Sequence, residues 1–195
     1  MIKNREDLVM KYIKDEMAVF THIDIGVINK LIAALEKARK REATVYVCEN
    51  GGSALTASHI ACDFNKCLNE VYEKKFHIVC LNDNIGTMTA IANDIGYEDV
   101  YYRQLSNKIK NTDILLAISG SGNSANILKA AGYAKRAGAC IITFTGYDGG
   151  ELKKLADLDI NIPVFNMQIV EDFHLILNHL IVRVLLEEQK LGNAQ

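Results

Sequence analysis

The stretch Asp113–Ser124, DILLAISGSGNS, constrains the fold more than any other part of the chain. Ile114, Leu115, Leu116, Ala117 and Ile118 form an unbroken apolar run, the pattern of a parallel strand covered on both faces rather than one with a wet side. The run stops at Ser119. Gly120 and Gly122 allow backbone angles that other residues resist. Ser119, Ser121 and Ser124 add hydroxyl donors, and Ser124-Ala125-Asn126-Ile127-Leu128 begins a helix. A helix start presents free N–H groups and a partial positive charge, so this junction reads as an anion cradle suited to a phosphate.

Two nucleotide-binding readings compete for the same residues. A P-loop needs GxxxxGK followed by Ser or Thr, and no such run occurs, so its lysine and its magnesium-binding hydroxyl have no candidates. The dinucleotide fingerprint fits better in form, because Gly120-x-Gly122-x-x-Ala125 follows a strand and opens a helix. Its context is wrong: a full strand–helix–strand stretch precedes it, and Asp148 arrives late and in a turn. A plain strand-to-helix turn without a ligand would not require three serines crowded among glycines.

The rest of the chain alternates strand and helix. Apolar runs at Val45–Cys48, Phe76–Leu81, Asp113–Ile118, Cys140–Phe144 and Leu158–Ile162 read as five strands. Helical stretches fall at Ala54–Cys67, Asn84–Asn93, Val100–Ile109, Ser124–Arg136 and Glu151–Leu155, and a long one closes the chain from about Gln168 to Gln189. This rhythm predicts an α/β fold with a five-stranded parallel doubly wound sheet. Before it, Lys3–Phe20 and Asp24–Lys40 carry apolar residues at helical spacing (Leu8, Tyr12, Ile13; Ile28, Leu31, Ile32, Leu35). These two helices precede the first strand, are no crossovers of the sheet, and need apolar partners on the domain or on another subunit. With a single proline, Pro163, and no linker-like run, residues 1–195 are read as one domain: a helical extension over 1–42, and core plus final helix over 43–195.

A net charge of −2 and no basic stripe interleaved with aromatics argue against nucleic acid. No run of 18 apolar residues indicates a membrane span and Met1–Phe20 mixes charges throughout, so the cytoplasm is the expected location. Cys48, Cys62, Cys67, Cys80 and Cys140 are odd in number and lack CxxC spacing, which favours buried thiols over bridges.

The first strand also ends in a glycine turn, Glu49-Asn50-Gly51-Gly52-Ser53, directly before a helix carrying His59 and Asp63. In a doubly wound sheet, ligands collect at the carboxyl ends of strands where strand order reverses, so the two turns can face one pocket. Asn93-Asp94 and Thr145–Gly150 fall at other loop positions that could line the same edge, or serve only as turns.

Together ENGGSALTASHIACD, IANDIGYEDVYYRQL, LLAISGSGNSANILKAA and ITFTGYDGG resemble the sugar isomerase (SIS) superfamily, nearest its phosphoheptose isomerase group. The resemblance implies a homotetramer with active sites at subunit interfaces, conversion of sedoheptulose 7-phosphate into a heptose 7-phosphate, and in some members zinc. It assigns Ser119, Ser121 and Ser124, within the loop that includes Gly120 and Asn123, to phosphate. Asn50 and Ser53, with Gly51 and Gly52 between them, match its first glycine turn, and Asp94 a substrate contact. His59 matches a metal ligand, Asp63 the catalytic base and a ligand, Glu171 a ligand, and His179 a catalytic and metal-binding histidine. The group usually has glycine at the position of Glu49, threonine at Gly120, glutamate at Asp63 and glutamine at Glu171. The pocket expected here is therefore more acidic.

Aldose–ketose isomerisation removes a proton next to a carbonyl, passes through a cis-enediol and returns the proton to the neighbouring carbon. It needs a base and something to hold the enediolate charge, which a metal can do. His59 and Asp63 share one helix face, and Glu171 and His179 lie about two turns apart, so four side chains suited to zinc are available. The resemblance, not the spacing, singles out His59 and His179, and with it all four are expected to form one cluster at the mouth of the phosphate loop, with Asp63 or Glu171 as base. His22, His77 and His174 are read as structural or solvent-facing. The alternative function is a non-catalytic phosphosugar-binding regulator, or a partner of the replication initiator, which some relatives are.

Overall fold

The computed structural model describes residues 4–193. Helices α1 (Arg5–Phe20) and α2 (Ile25–Lys40) lead into β1 (Thr44–Cys48), α3 (Ala54–Cys62), the short α4 (Asn69–Val71) and β2 (His77–Cys80). Then follow α5 (Ile85–Asp94), α6 (Tyr102–Leu105), β3 (Ile114–Ser119), α7 (Ala125–Arg136), β4 (Cys140–Gly146), α8 (Gly150–Leu155), β5 (Leu158–Ile162) and α9 (Met167–Asn193). Lys3, expected to open the first helix, lies outside the described residues.

All strand pairs are parallel and the sheet order is β2-β1-β3-β4-β5. Order therefore reverses between β1 and β3, the crevice where doubly wound sheets hold ligands. Val47 pairs with Leu116 and Cys48 with Ala117, so the chains leaving both strands start side by side.

Every residue of β3 is buried, because the sheet is covered on both faces as its apolar run implied. Ile114, Leu116 and Ile118 join Leu31, Leu35, Ile60, Phe173 and Leu177 in one layer, while Leu115 and Ala117 join Tyr101, Ile127, Ala130 and Ala134 in the other. The two N-terminal helices differ. Ile28, Leu31, Ile32 and Leu35 of α2 are buried on the domain, whereas α1 buries Val19 and leaves Leu8, Val9, Met10, Ile13, Met17 and Phe20 exposed.

Three elements depart from expectation. The helix expected over Ala54–Cys67 widens into a π-helical turn over Asp63–Leu68, where Asn65 and Asn69 turn their side chains to the backbones of Ile78 and Phe76. The stretch Val100–Ile109 holds only the single turn α6. Asp94 is the last residue of α5 rather than a loop residue. Of the cysteines, all free, Cys48 and Cys80 are buried, Cys67 and Cys140 half-buried and Cys62 exposed.

Candidate active site

The loop after β3 is built by close packing. Gly122 has φ +67, and a Cβ there would stand 2.0 Å from the Gly149 carbonyl oxygen, so only glycine fits. The Gly122 carbonyl accepts the Leu152 N–H at 2.9 Å, and the Gly120 carbonyl accepts the Gly146 N–H at 3.0 Å. The Thr145–Gly150 turn thus braces the loop from below and does not line the cleft. Asn123 adds to the brace, donating to the Ser121 carbonyl at 2.9 Å and accepting the Glu151 N–H at 3.2 Å. At Gly120 a Cβ would meet Met167 Sδ at 2.5 Å, so the methionine fills the space a larger residue would take.

Above this floor lies a cleft of about 180 Å³ lined by Glu49, Asn50, Gly51, Gly52, Ser53, Ser119, Gly120, Ser121, Ser124 and Glu171, with Ile118 and Met167. Both glycine turns face it, at the N-termini of α3 and α7. Ser119 Oγ and Ser124 Oγ are 3.3 Å apart, and Ser121 Oγ accepts the Asn123 N–H at 3.2 Å. A larger groove of about 520 Å³ between α1 and the β5–α9 connection contains none of the expected site residues.

A polar clamp joins the turns. Asn50 and Asn126 exchange amide hydrogen bonds of 2.9 and 2.7 Å, and Asn50 Oδ1 also accepts from Tyr97 and Tyr101 at 3.0 and 3.1 Å. Asn82 donates to the Glu49 carbonyl and accepts the Glu49 N–H. Asn50 therefore holds the two loops in register. Asn126, Tyr97, Tyr101 and Asn82 were not marked by the sequence, since each belongs to a different element.

A second group lies further along α3 and α9. His59 Nε2 is 3.3 Å from His179 Nε2 and 3.3 Å from Asp63 Oδ2, and His179 Nε2 is 3.9 Å from the same oxygen. Asn178 Nδ2 donates to Asp63 Oδ2 at 2.7 Å. A tetrahedral zinc with bonds of about 2.0–2.1 Å has ligand atoms about 3.3 Å apart, so these three atoms suit three corners and leave the fourth for an exchangeable ligand. The donor set of two imidazoles and a carboxylate fits the ion. Asn178, 1% exposed, interrupts the apolar stripe of α9 together with His174, and a polar residue in such a stripe is the signal that could have found it.

Within one chain, the expected four-residue cluster is a trio. Glu171 lies eight residues before His179 on α9, about 12 Å at the helical rise, and lines the loop cleft instead. Asp94, exposed and accepting from Asn93 Nδ2 at 2.8 Å, belongs to neither group. His22 and His77 are exposed, while His174 is fully buried beside Glu49.

The SIS domain family profile matches residues 10–146. A phosphoheptose isomerase of Helicobacter pylori is 35% identical over 154 residues, 79% of this chain and 78% of its own. One of Leptospira biflexa is 32% identical over 189 residues, 94% and 96% of the two chains. The fold is that of the phosphoheptose isomerase structure from Neisseria gonorrhoeae, with a TM-score of 0.85 at 24% identity over 93% of this chain and 98% of the other. A five-stranded parallel sheet with two glycine turns at its switch point, matched by relatives over most of their length, places the chain in the SIS domain family, within its phosphoheptose isomerase group.

Proposed function

We propose that this protein is an aldose–ketose isomerase that converts sedoheptulose 7-phosphate into a heptose 7-phosphate, in heptose biosynthesis. The observation that carries the reading is the pairing of a serine-lined anion cleft with the His59–Asp63–His179 trio on the two helices bordering it. Ser119, Ser121, Ser124 and the N–H groups of both glycine turns hold the phosphate. His59 lies six residues beyond Ser53, about 9 Å along α3, which sets the reacting carbons apart from the phosphate.

The Asp63 contacts with His59, His179 and Asn178 converge on Oδ2. Its Oδ1 is left to take the proton from the carbon beside the carbonyl and return it to the neighbouring carbon. His59 and His179, both half-exposed, orient the sugar oxygens. A zinc ion held by His59, Asp63 and His179 would supply Lewis-acid stabilisation of the enediolate charge. Glu171 is the rival base, its place beside the phosphate cleft arguing for the less direct role. A binding-only regulator would have no use for the trio, which disfavours that alternative.

The chain is further proposed to be one domain that assembles as a homotetramer with active sites at subunit interfaces, supported by the exposed apolar face of α1. Five free cysteines fit a reducing compartment and support a cytoplasmic location. Among the described residues, no single helix is long and apolar enough to cross a membrane. The test is turnover of sedoheptulose 7-phosphate followed by NMR in D2O: label should enter at the carbon that exchanges its proton. No turnover by zinc-loaded protein would refute the isomerase.

A further inference from the structure

The phosphate cleft contains a mismatch of charge. Among the described residues that line it there is no lysine, arginine or histidine, yet two carboxylates, Glu49 and Glu171, face it. A sugar phosphate carries close to two negative charges at pH 7, its second pKa being about 6. The N-termini of α3 and α7 offer only roughly half a positive charge each. Bringing the dianion against two charged carboxylates in a partly dry cleft is therefore opposed by repulsion that weak dielectric screening strengthens.

Glu49 carries a device that can relieve it. The residue is 3% exposed and follows directly on β1, with its backbone pinned by Asn82 and Tyr101. Its Oε2 has no hydrogen-bond partner among the described residues, and neither has Nδ1 or Nε2 of His174, which is wholly buried. His174 Nδ1 stands 3.9 Å from Glu49 Oε1, too far for a hydrogen bond. Buried polar atoms are nearly always paired, so three unpartnered atoms on two neighbouring buried side chains call for a function. Burial pushes the Glu49 carboxyl above the ordinary carboxylate range; the His174 ring and the Ser53 hydroxyl oppose the shift, and the charge of Glu171 adds to it. The neighbouring Cys48 thiol is kept neutral by its own burial.

We infer that Glu49, beside the buried His174, is a further binding residue of the sugar-phosphate site: Glu49 takes up one proton as the phosphate enters and meets the ligand as a neutral, hydrogen-bond-donating acid. The proton comes from solvent and is returned when the ligand leaves. The inference rests on the cleft being the phosphate site. Because the bound state then holds one more proton than the free state, affinity falls as pH rises, by up to about 10-fold per unit above the range where Glu49 titrates.

Isothermal titration calorimetry of the full chain decides it, with sedoheptulose 7-phosphate and with inorganic phosphate between pH 7 and 9, in two buffers of different ionisation enthalpy. The expected result is uptake of about one proton and a Kd that weakens with pH. Both features should disappear in Glu49→Gln, and also in Glu49→Gly should the first variant fold poorly. Uptake that persists in both variants places the proton on the ligand and overturns the inference. Tight binding without uptake by the unaltered protein overturns it too while leaving the phosphate site standing. No binding of either ligand overturns both.

Discussion

Replacing the serines of the β3–α7 loop one at a time tests the phosphate cradle, and the structure gives the effects an order. Ser121 Oγ already accepts the Asn123 N–H, which leaves its own O–H to donate to an incoming phosphate oxygen. A hydrogen bond to a charged group is worth about 1.5–3 kcal/mol, so Ser121→Ala should weaken binding roughly 10- to 150-fold. Ser124 differs, because its hydroxyl shares a 3.3 Å contact with Ser119 in the free protein. That long contact has to be exchanged for the ligand, and subtracting about 0.5–1 kcal/mol for it leaves about 1–2 kcal/mol, or roughly 5- to 30-fold. Titration calorimetry with sedoheptulose 7-phosphate reads both, and thermal melts of the two variants should stay close to the unaltered protein because neither side chain fills the core. Unchanged Kd in both would refute the cradle. A larger loss in Ser124→Ala than in Ser121→Ala would refute the pairing argument while sparing the site.

Removing zinc with a chelator should abolish turnover and restoring it should recover it; full activity of metal-free protein, checked by elemental analysis, would remove the metal from the mechanism. Asn178→Leu takes away the donor that holds Asp63 Oδ2 and should lower zinc affinity or turnover about 10- to 100-fold, measured by competition with a zinc dye and by rate. Comparing Asp63→Asn with Glu171→Gln assigns the base: the first should lose turnover and bound zinc together, the second should keep its zinc. Gly122→Ala forces a left-handed backbone, about 1–2 kcal/mol, and a collision with the Gly149 carbonyl, about 1–3 kcal/mol, so its Tm should fall by roughly 4–20 °C. Light scattering should return a mass near four chains of 21.7 kDa, and Leu8→Glu with Met17→Glu, both exposed on α1, should reduce it; a monomer from the unaltered protein would refute the tetramer.

What the chain order alone determined was whatever depends on neighbours in sequence. The apolar run Ile114–Ile118 specified a doubly covered strand because parallel strands bury both faces. The serine and glycine spacing after it specified an anion loop because backbone angles and helix starts are local. His59 and Asp63, one turn apart, had to share a helix face. The tertiary structure decided which distant groups meet. Glu171 and His179 sit on one helix and were expected at one ion, but the helical rise carries them to two different places, and only the docking of α9 brings His179 and Asn178 to Asp63 while Glu171 goes to the serine loop. Asn50 and Asn126 are 76 residues apart, and Glu49 at the end of β1 meets His174 of the last helix. Such contacts follow from strand order and helix packing, which single-chain periodicity does not encode, so the clamp and the buried acid–imidazole couple became visible only when the sheet was assembled.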